Sequence, residues 1–195
     1  MCGRGRFGIY CALFDYTSRR FERETRWLSN QFLDWHGWNQ APYGTTIQFG
    51  DVNGDGAADV CGRGGGNIYC GVSQPGLQRF AGADQGAASL AFPYWHGWNE
   101  DNHYETIVMT DADGDGREDI CGRGQDGIYC AISESTLFGG VSFTDPMQWV
   151  TTFGDNGGWN GREQFWGSVQ PASVNSSPDD SEFCGVGWAG VYCTQ

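Results

Sequence analysis

The sequence of 195 residues contains no lysine, only three histidines, and no apolar run approaching the length of a membrane-spanning helix. Without lysine, eleven arginines face 24 acidic residues, for a formal net charge of −13. Phosphate backbones are gripped by a basic stripe, so nucleic acid is excluded as the expected partner. A helix crossing a bilayer needs about 20 consecutive apolar residues, so membrane insertion is not expected. The first 30 residues lack the charged, apolar, small-residue order of a secretory leader, so no signal peptide is expected in the chain. Catalytic signatures are missing as well: there is no nucleophile elbow, no His-Glu-x-x-His and no phosphate loop. His36 and His96 are copies of one repeated position, and His103 sits near the second of them. The expectation is a protein that is not an enzyme.

What the chain has in quantity is glycine (32), tryptophan (nine) and cysteine (eight). This mixture suits short strands joined by tight turns, with large side chains filling the space between them. The cysteines fall into pairs with eight residues between members: Cys2 and Cys11, Cys61 and Cys70, Cys121 and Cys130, Cys184 and Cys193. Zinc sites prefer two to four residues between paired thiols and commonly recruit histidine, and neither applies here. Identical spacing around Gly-rich sequence reads as a hairpin whose two strands are cross-linked by a disulfide. An oxidising, secreted or extracellular setting follows.

These pairs mark a repeat. CGRGRFGIYCALF (2–14), CGRGGGNIYCGVS (61–73), CGRGQDGIYCAIS (121–133) and CGVGWAGVYCTQ (184–195) are four copies of one hairpin, beginning 59, 60 and 63 residues apart. A second element recurs with them as WHGWNQAPY (35–43), WHGWNEDNHY (95–104) and GGWNGREQF (157–165). A third precedes the hairpin twice, as GDVNGDGAADV (50–60) and TDADGDGREDI (110–120). The unit is a four-stranded antiparallel blade of about 60 residues. Its strands are 45–49 or 106–110, then ADVCGR or EDICGR, then NIYCGVS or GIYCAIS, and a fourth within 78–92. The fold class expected is all-β, of the β-propeller type. It comprises a partial blade (1–34), two full units (35–94 and 95–156) and a degenerate terminal unit (157–195). Helical periodicity is weak, and residues 21–32 are the only passable helical candidate.

The acidic loops follow D-x-N/D-G-D-G-x-x-D. Asp51, Asn53, Asp55, Ala57 and Asp59 form one set, and Asp111, Asp113, Asp115, Arg117 and Asp119 the other. Oxygen-bearing residues at positions 1, 3 and 5 turn inward when a loop coils around a cation. Position 7 can offer its backbone carbonyl, so Ala57 and Arg117 need no ligating side chain, and a carboxylate at position 9 closes the shell. Every donor is a hard oxygen, which suits Ca²⁺, with two sites expected. The EF-hand glutamate at position 12 is replaced by Gly62 and Gly122, so the loop is of another type. A metal-free Asp/Asn/Gly turn is the competing reading. In the terminal unit the same slots fall on Val174, Ser176, Pro178 and Glu182, so that site is expected to be lost; Asp179 and Asp180 lie nearby.

The run FGDVNGDGAADVCGRGGGNIYC, preceded by Gly-Trp-Asn, resembles the FG-GAP/VCBS repeats of calcium-binding propellers. It looks closest to the repeats of the Psathyrella velutina lectin family. That resemblance covers 35–73 and 95–133 well and the end units in part. It implies calcium-bound blades with glycan sites between them.

The best candidate ligand surface is the repeated Trp-x-Gly-Trp-Asn: Trp35, Trp38 and Asn39, then Trp95, Trp98 and Asn99, then Trp159 and Asn160. Indole faces pack on sugar C–H surfaces and carboxamides fix hydroxyls. His36, His96, Tyr43 and Tyr104 could add polar contacts, and Arg4, Arg63 and Arg123 could grip acidic groups. Packing between blades competes for the aromatics, and neutralising the acidic loops competes for the arginines. Two functions stand side by side. One is a glycan-binding module with glycans or glycoproteins as partners. The other is an extracellular structural or adhesive subunit that self-associates by completing blades between chains.

Overall fold

The computed structural model describes residues 1–82, 89–135, 140–174 and 181–194. Four antiparallel sheets of three or four strands follow one another along the chain. The first joins β1 (Cys2–Gly5), β2 (Phe7–Cys11) and β5 (Thr25–Leu33), with a small hairpin of β3 (Phe14–Asp15) and β4 (Arg20–Phe21) inserted before its last strand. The second is β6 (Gln48–Gly50), β7 (Asp59–Arg63), β8 (Ile68–Gln74) and β9 (Arg79–Ala81) in that order. The third is β10 (Val108–Thr110), β11 (Asp119–Gly124), β12 (Gly127–Ala131) and β15 (Met147–Val150), with β13 (Ser133–Ser135) and β14 (Val141–Phe143) as an inserted hairpin. The fourth has three strands, β16 (Gln170–Ala172), β17 (Glu182–Gly187) and β18 (Gly190–Cys193). The described hydrogen bonds between sheets join neighbours in the chain, and the described residues form no closed ring.

Each cysteine pair occupies directly opposed hairpin positions, and all four disulfides are formed with Cα atoms 4.1 to 4.2 Å apart. Each closes a short loop, worth about 2–3 kcal/mol by loop-closure entropy. Two-residue turns connect the strands, as in Gly124 opposite Gly127. Gly127 lies at φ +144°, and a Cβ there would stand 1.9 Å from the Val150 carbonyl oxygen of the neighbouring strand.

The structure sharpens the sequence reading at three places. The weak helical candidate at 21–32 is not a helix, in keeping with the all-β expectation: Thr25–Leu33 is a nine-residue strand with Trp27, Leu28, Phe32 and Leu33 buried. Charged residues there mimic a helical period, but pairing with β2 decides the outcome, as tertiary context commonly does. The opening strands begin three and two residues late, at Gln48 and Val108, because Thr46 and Thr106 turn back to bond the Tyr43 and His103 carbonyls. Real helices occur where none was expected. A 3-10 turn and then one α-turn follow each of the first three sheets: α1 (Ala41–Gly44), α2 (Asp101–Tyr104) and α3 (Glu163–Trp166). The fourth strand of the second sheet is met in two parts, Arg79–Ala81 and Ser89 opposite Ile68; residues 83–88 lie outside the described residues.

The core lies between successive sheets. Trp38, Phe32 and Val60 fill the first gap, Phe92, Trp98 and Ile120 the second, and Phe153, Ile128 and Phe183 the third. Polar stitches cross the gaps: the Gln48 side chain bonds the Ile107 carbonyl and the Met109 N–H, and Glu118 N–H donates to the Asp51 carbonyl at 2.8 Å.

The strongest stitch was not expected. Arg63 and Arg123 are fully buried. Their Nε atoms donate to the carbonyls of Phe92 and Phe153 at 2.7 and 2.6 Å, and their Nη1 atoms to Pro42 and Asn102 at 3.0 and 2.8 Å. Arg4, less deeply placed, reaches the Phe32 carbonyl and bonds Asp34 at 2.6 Å. These arginines are therefore not free to grip a ligand, and none reaches the acidic loops. Phe32, Phe92 and Phe153 all lie in the left-handed region, at φ 60°, 57° and 66°. That conformation costs an L-residue about 1–2 kcal/mol, so a bonded carbonyl and a buried ring must hold it.

The second interblade site carries an imperfection. Arg123 Nη2 pairs with Asp155, which also accepts from Asn102 and meets His103. Tyr94 stands where Asp34 and Asp155 stand in the other repeats, and Arg63 Nη2 has no hydrogen-bond partner. Burial pulls the Arg63 pKa down to about 10. Asp155→Ala should destabilise by about 3 kcal/mol by stranding Arg123, whereas Tyr94→Asp should stabilise by about 1 kcal/mol. Urea midpoints of the two variants check both signs.

Candidate functional site

Each unit builds the same aromatic cage. The first glycine of the CGRG motif (CGVG in the last copy) admits the indole: a Cβ on Gly62, Gly122 or Gly185 would lie 2.9, 2.7 or 3.0 Å from Trp38, Trp98 or Trp159. The left-handed phenylalanine packs edge-on to the same ring, with centroids 4.6, 4.5 and 4.7 Å apart in the three copies. A tyrosine of the hairpin's second strand, Tyr69, Tyr129 or Tyr192, makes a third wall at 6.1, 6.4 and 6.0 Å. Tyr43, His103 or Phe165 of the short helix makes a fourth. This places Tyr43 in register with His103, not with Tyr104, which is buried in the core.

Trp38 and Trp98 are thus buried cage members, Trp159 is half-buried, and Trp35 and Trp95 stand 61% and 59% exposed. Between the second and third sheets the cage opens into a cavity of about 520 Å³. Trp98 and Tyr129 form its floor, and Trp95, His96, Gln125, Asp126 and Asp145 its rim. The corresponding place at the fourth sheet is a cavity of about 310 Å³ lined by Trp159, Phe165, Trp188 and Tyr192. The Arg162 guanidinium lies over the Trp188 ring, 4.3 Å from its centroid. Both volumes lie in the range of small-ligand sites.

The asparagines of the motif do not join the indoles. Asn39, Asn99 and Asn160 are exposed, Asn99 does not line the cavity of Trp95 and Trp98, and Asn160 lines a separate polar groove with Glu100, His103 and Asp155. His96 sits on the cavity rim, while His36 is exposed beside Trp35. The turn residues Gln125, Asp126 and Trp188, together with Asp145 and the three tyrosines, were not singled out by sequence reasoning. Their signal is the Ile/Val-Tyr-Cys repeat and the one place where the hairpin copies differ.

The acidic loops form a second candidate site. Asp111, Asp113 and Asp115 bring one carboxylate oxygen each within 4.8 Å of the others. Asp51 and Asp111 cap their loops, accepting from Gly54 and Gly114 N–H at 2.8 Å in both cases. Asn53 donates to Asp55, and Arg117 pairs with Asp115 and reaches Ser133. Asp59 and Asp119 are fully buried and hold backbone: each accepts from the next sheet strand, at Ser73 or Ser133 N–H, both at 2.7 Å, and from Val52 or Ala112 N–H. Burial pushes each carboxyl up to about 6, with the loop aspartates adding to the rise. In the fourth unit Glu182 accepts from Val174 N–H, while Ser176, Pro178, Asp179 and Asp180 lie outside the described residues.

Comparison with known proteins places the fold. No protein-family model matches the chain, and no curated protein matches it. Among solved structures, a lectin from Agrocybe aegerita, described as specifically recognising non-reducing terminal N-acetylglucosamine, superposes with a TM-score of 0.73 at 21% identity. The match covers 96% of this chain and 43% of that one, so the chain spans less than half the length of its structural neighbour. The likeness establishes the all-β fold.

The division between buried and exposed indoles is measurable. Trp98→Ala should cost about 3–5 kcal/mol, the usual range for a large aromatic removed from a core. Trp95→Ala should change stability by less than about 0.5 kcal/mol. Chemical denaturation of both variants tests the division.

Proposed function

We propose that the chain is a secreted, non-enzymatic, calcium-stabilised module that binds glycans in the aromatic cavities beside its hairpins. The observation that carries this reading is the recurrence of one cage, with Trp98 and Tyr129 or Trp159 and Tyr192 as floor, each opening to solvent through an exposed ring and polar rim groups. Aromatic faces with a few convergent polar atoms are what a pyranose ring requires. The lectin fold of the structural neighbour supports the same class of ligand. Eight cysteines in four disulfides support an oxidising location. Among the described residues no helix is long and apolar enough to cross a membrane. In a glycan array with confirmation by calorimetry, the native chain should bind immobilised saccharides, and Trp95→Ala should weaken binding about tenfold or more at unchanged stability. A blank array in the presence of Ca²⁺ would remove the reading.

The acidic loops fit a hard divalent cation. Asp51, Asn53 and Asp55, with the Ala57 carbonyl, would hold one Ca²⁺; Asp111, Asp113 and Asp115, with the Arg117 carbonyl, would hold the other. Asp59 and Asp119 back the two sites. A bound cation supplies the positive charge these crowded carboxylates need, and its role is structural. At 100 times Kd one site adds about 2.7 kcal/mol. The thermal midpoint should therefore rise by about 5 °C or more with Ca²⁺ over chelator, and Asp113→Asn with Asp115→Asn should remove part of that rise.

A second reading, the self-associating structural subunit, draws on β18. It is an edge strand whose Val191 and Tyr192 are 70% and 47% exposed, beside Trp188 at 76%. Exposed apolar edges invite pairing with another chain. Native mass in dilute solution, measured in the same calcium series, separates the two; a stable monomer excludes the second.

A further inference from the structure

The cavities share a constant floor and differ at the rim. Floor positions repeat as Phe92, Trp98, Gly124 and Tyr129 in the larger cavity and as Phe153, Trp159, Gly187 and Tyr192 in the smaller. The two-residue hairpin turn does not repeat: it is Arg6-Phe7, Gly65-Gly66, Gln125-Asp126 and Trp188-Ala189 in the four hairpins. The backbone fixes where this turn sits. The carbonyls of Arg6, Gly65 and Gln125 accept from the N–H groups of Asp34, Tyr94 and Asn156 in the segment leading to the next sheet. The turn therefore carries whichever side chains it has to the cavity rim.

At the larger cavity the rim is acidic. Asp126 comes from the turn and Asp145 from the segment before β15, and no arginine lines the cavity. Asp126 is held in place, with Oδ1 accepting from Asn156 Nδ2 at 2.6 Å, and its carbonyl accepts from Gln148 Nε2 at 2.8 Å. Asp145 is exposed. At the smaller cavity the turn offers only Trp188 and Ala189, and among the described residues no carboxylate lines it. Two carboxylates beside an aromatic floor favour a ligand with an apolar ring face and a positive charge at its edge.

We propose that the cavity between the second and third sheets selects a saccharide bearing a free ammonium group, a deacetylated hexosamine, with the turn pair Gln125-Asp126 and Asp145 as its specificity determinants. This rests on the glycan-binding reading and adds the class of sugar. The aromatic floor takes the C–H face, and Asp126 and Asp145 take the ammonium. An acetyl group on that nitrogen removes the charge and places a methyl against two carboxylates.

The test titrates the full chain, in Ca²⁺, with the β-1,4-linked glucosamine trimer and with its fully N-acetylated counterpart. The amine trimer should bind at least tenfold tighter than the acetylated one. In Asp126→Asn with Asp145→Asn, which keeps the acceptor for Asn156, that ratio should fall to threefold or less with an unchanged thermal midpoint. Glu22→Gln with Glu24→Gln removes the same two charges from an exposed segment far along the sheet series and should leave the ratio intact. Equal or tighter binding of the acetylated trimer, or equal loss in the Glu22/Glu24 control, overturns the proposal while leaving glycan binding standing. If neither trimer nor any array saccharide binds, the underlying reading falls with it.

Discussion

The buried contact between the hairpin arginine and the carbonyl of a left-handed phenylalanine is the constraint on which the rest of the architecture hangs. A guanidinium inside an all-β core is costly unless its donors are met and the charge is offset. Arg123 meets that condition through Phe153, Asn102 and Asp155, and in return it holds Phe153 in a conformation that a bulky residue avoids. The reversal at that phenylalanine sends the chain out of one sheet and into the Trp segment of the next. Without it the indole would not arrive over the first CGRG glycine, and neither cage nor cavity would form. The interaction is simultaneously a joint between sheets and the positioning device for the cavity floor.

The disulfide adds stiffness where the cage needs it. The hairpin tyrosine stands between the turn and the second cysteine, so the cross-link fixes the strand that carries it. A floor locked by covalent pairing, edge-on rings and a missing Cβ has little conformational freedom left, so a ligand of the proposed kind would meet it already ordered. Variation is concentrated at the rim, above all at the turn tip. Gln125-Asp126 and Trp188-Ala189 show how different two rims can be over one floor.

Much of this was legible in the chain itself. The period, the paired cysteines, the blade order and the aromatic repeat follow from spacing, because a hairpin imposes fixed offsets on whatever it carries. The acidic loops were recognisable as turns for the same reason. What could not be read was direction. CGRG marks a strand, but nothing in four letters says that its arginine points into the gap between sheets and ends on a carbonyl 29 or 30 residues away. The Trp-Asn pair looked like one binding unit because the residues are adjacent. A helical turn begins just past them and separates their side chains into different clefts. Residues 21–32 carry only a weak helical pattern, and they become strand because their apolar residues answer to a partner earlier in the chain.

The acidic loops show the same separation of roles within one motif. Position 9 reads as the closing ligand of a cation shell, yet Asp59 and Asp119 are buried and spend their oxygens on backbone N–H groups of the loop start and of the following strand. That clamp shapes the loop whether or not a cation is present. The fourth unit bears this out by subtraction: its position 1 is Val174, which offers no side-chain oxygen, and yet a buried carboxylate, Glu182, persists at position 9 and still bonds backbone at the loop start. A buried carboxylate at position 9 is therefore a backbone clamp in all three units. Positions 1 and 5 serve the loop's own backbone as well, Asp111 accepting from the N–H groups of Gly114, Asp115 and Gly116 and Asp115 from that of Arg117, so the turn is shaped by its own carboxylates, and it is their remaining charge that the proposed cation would offset.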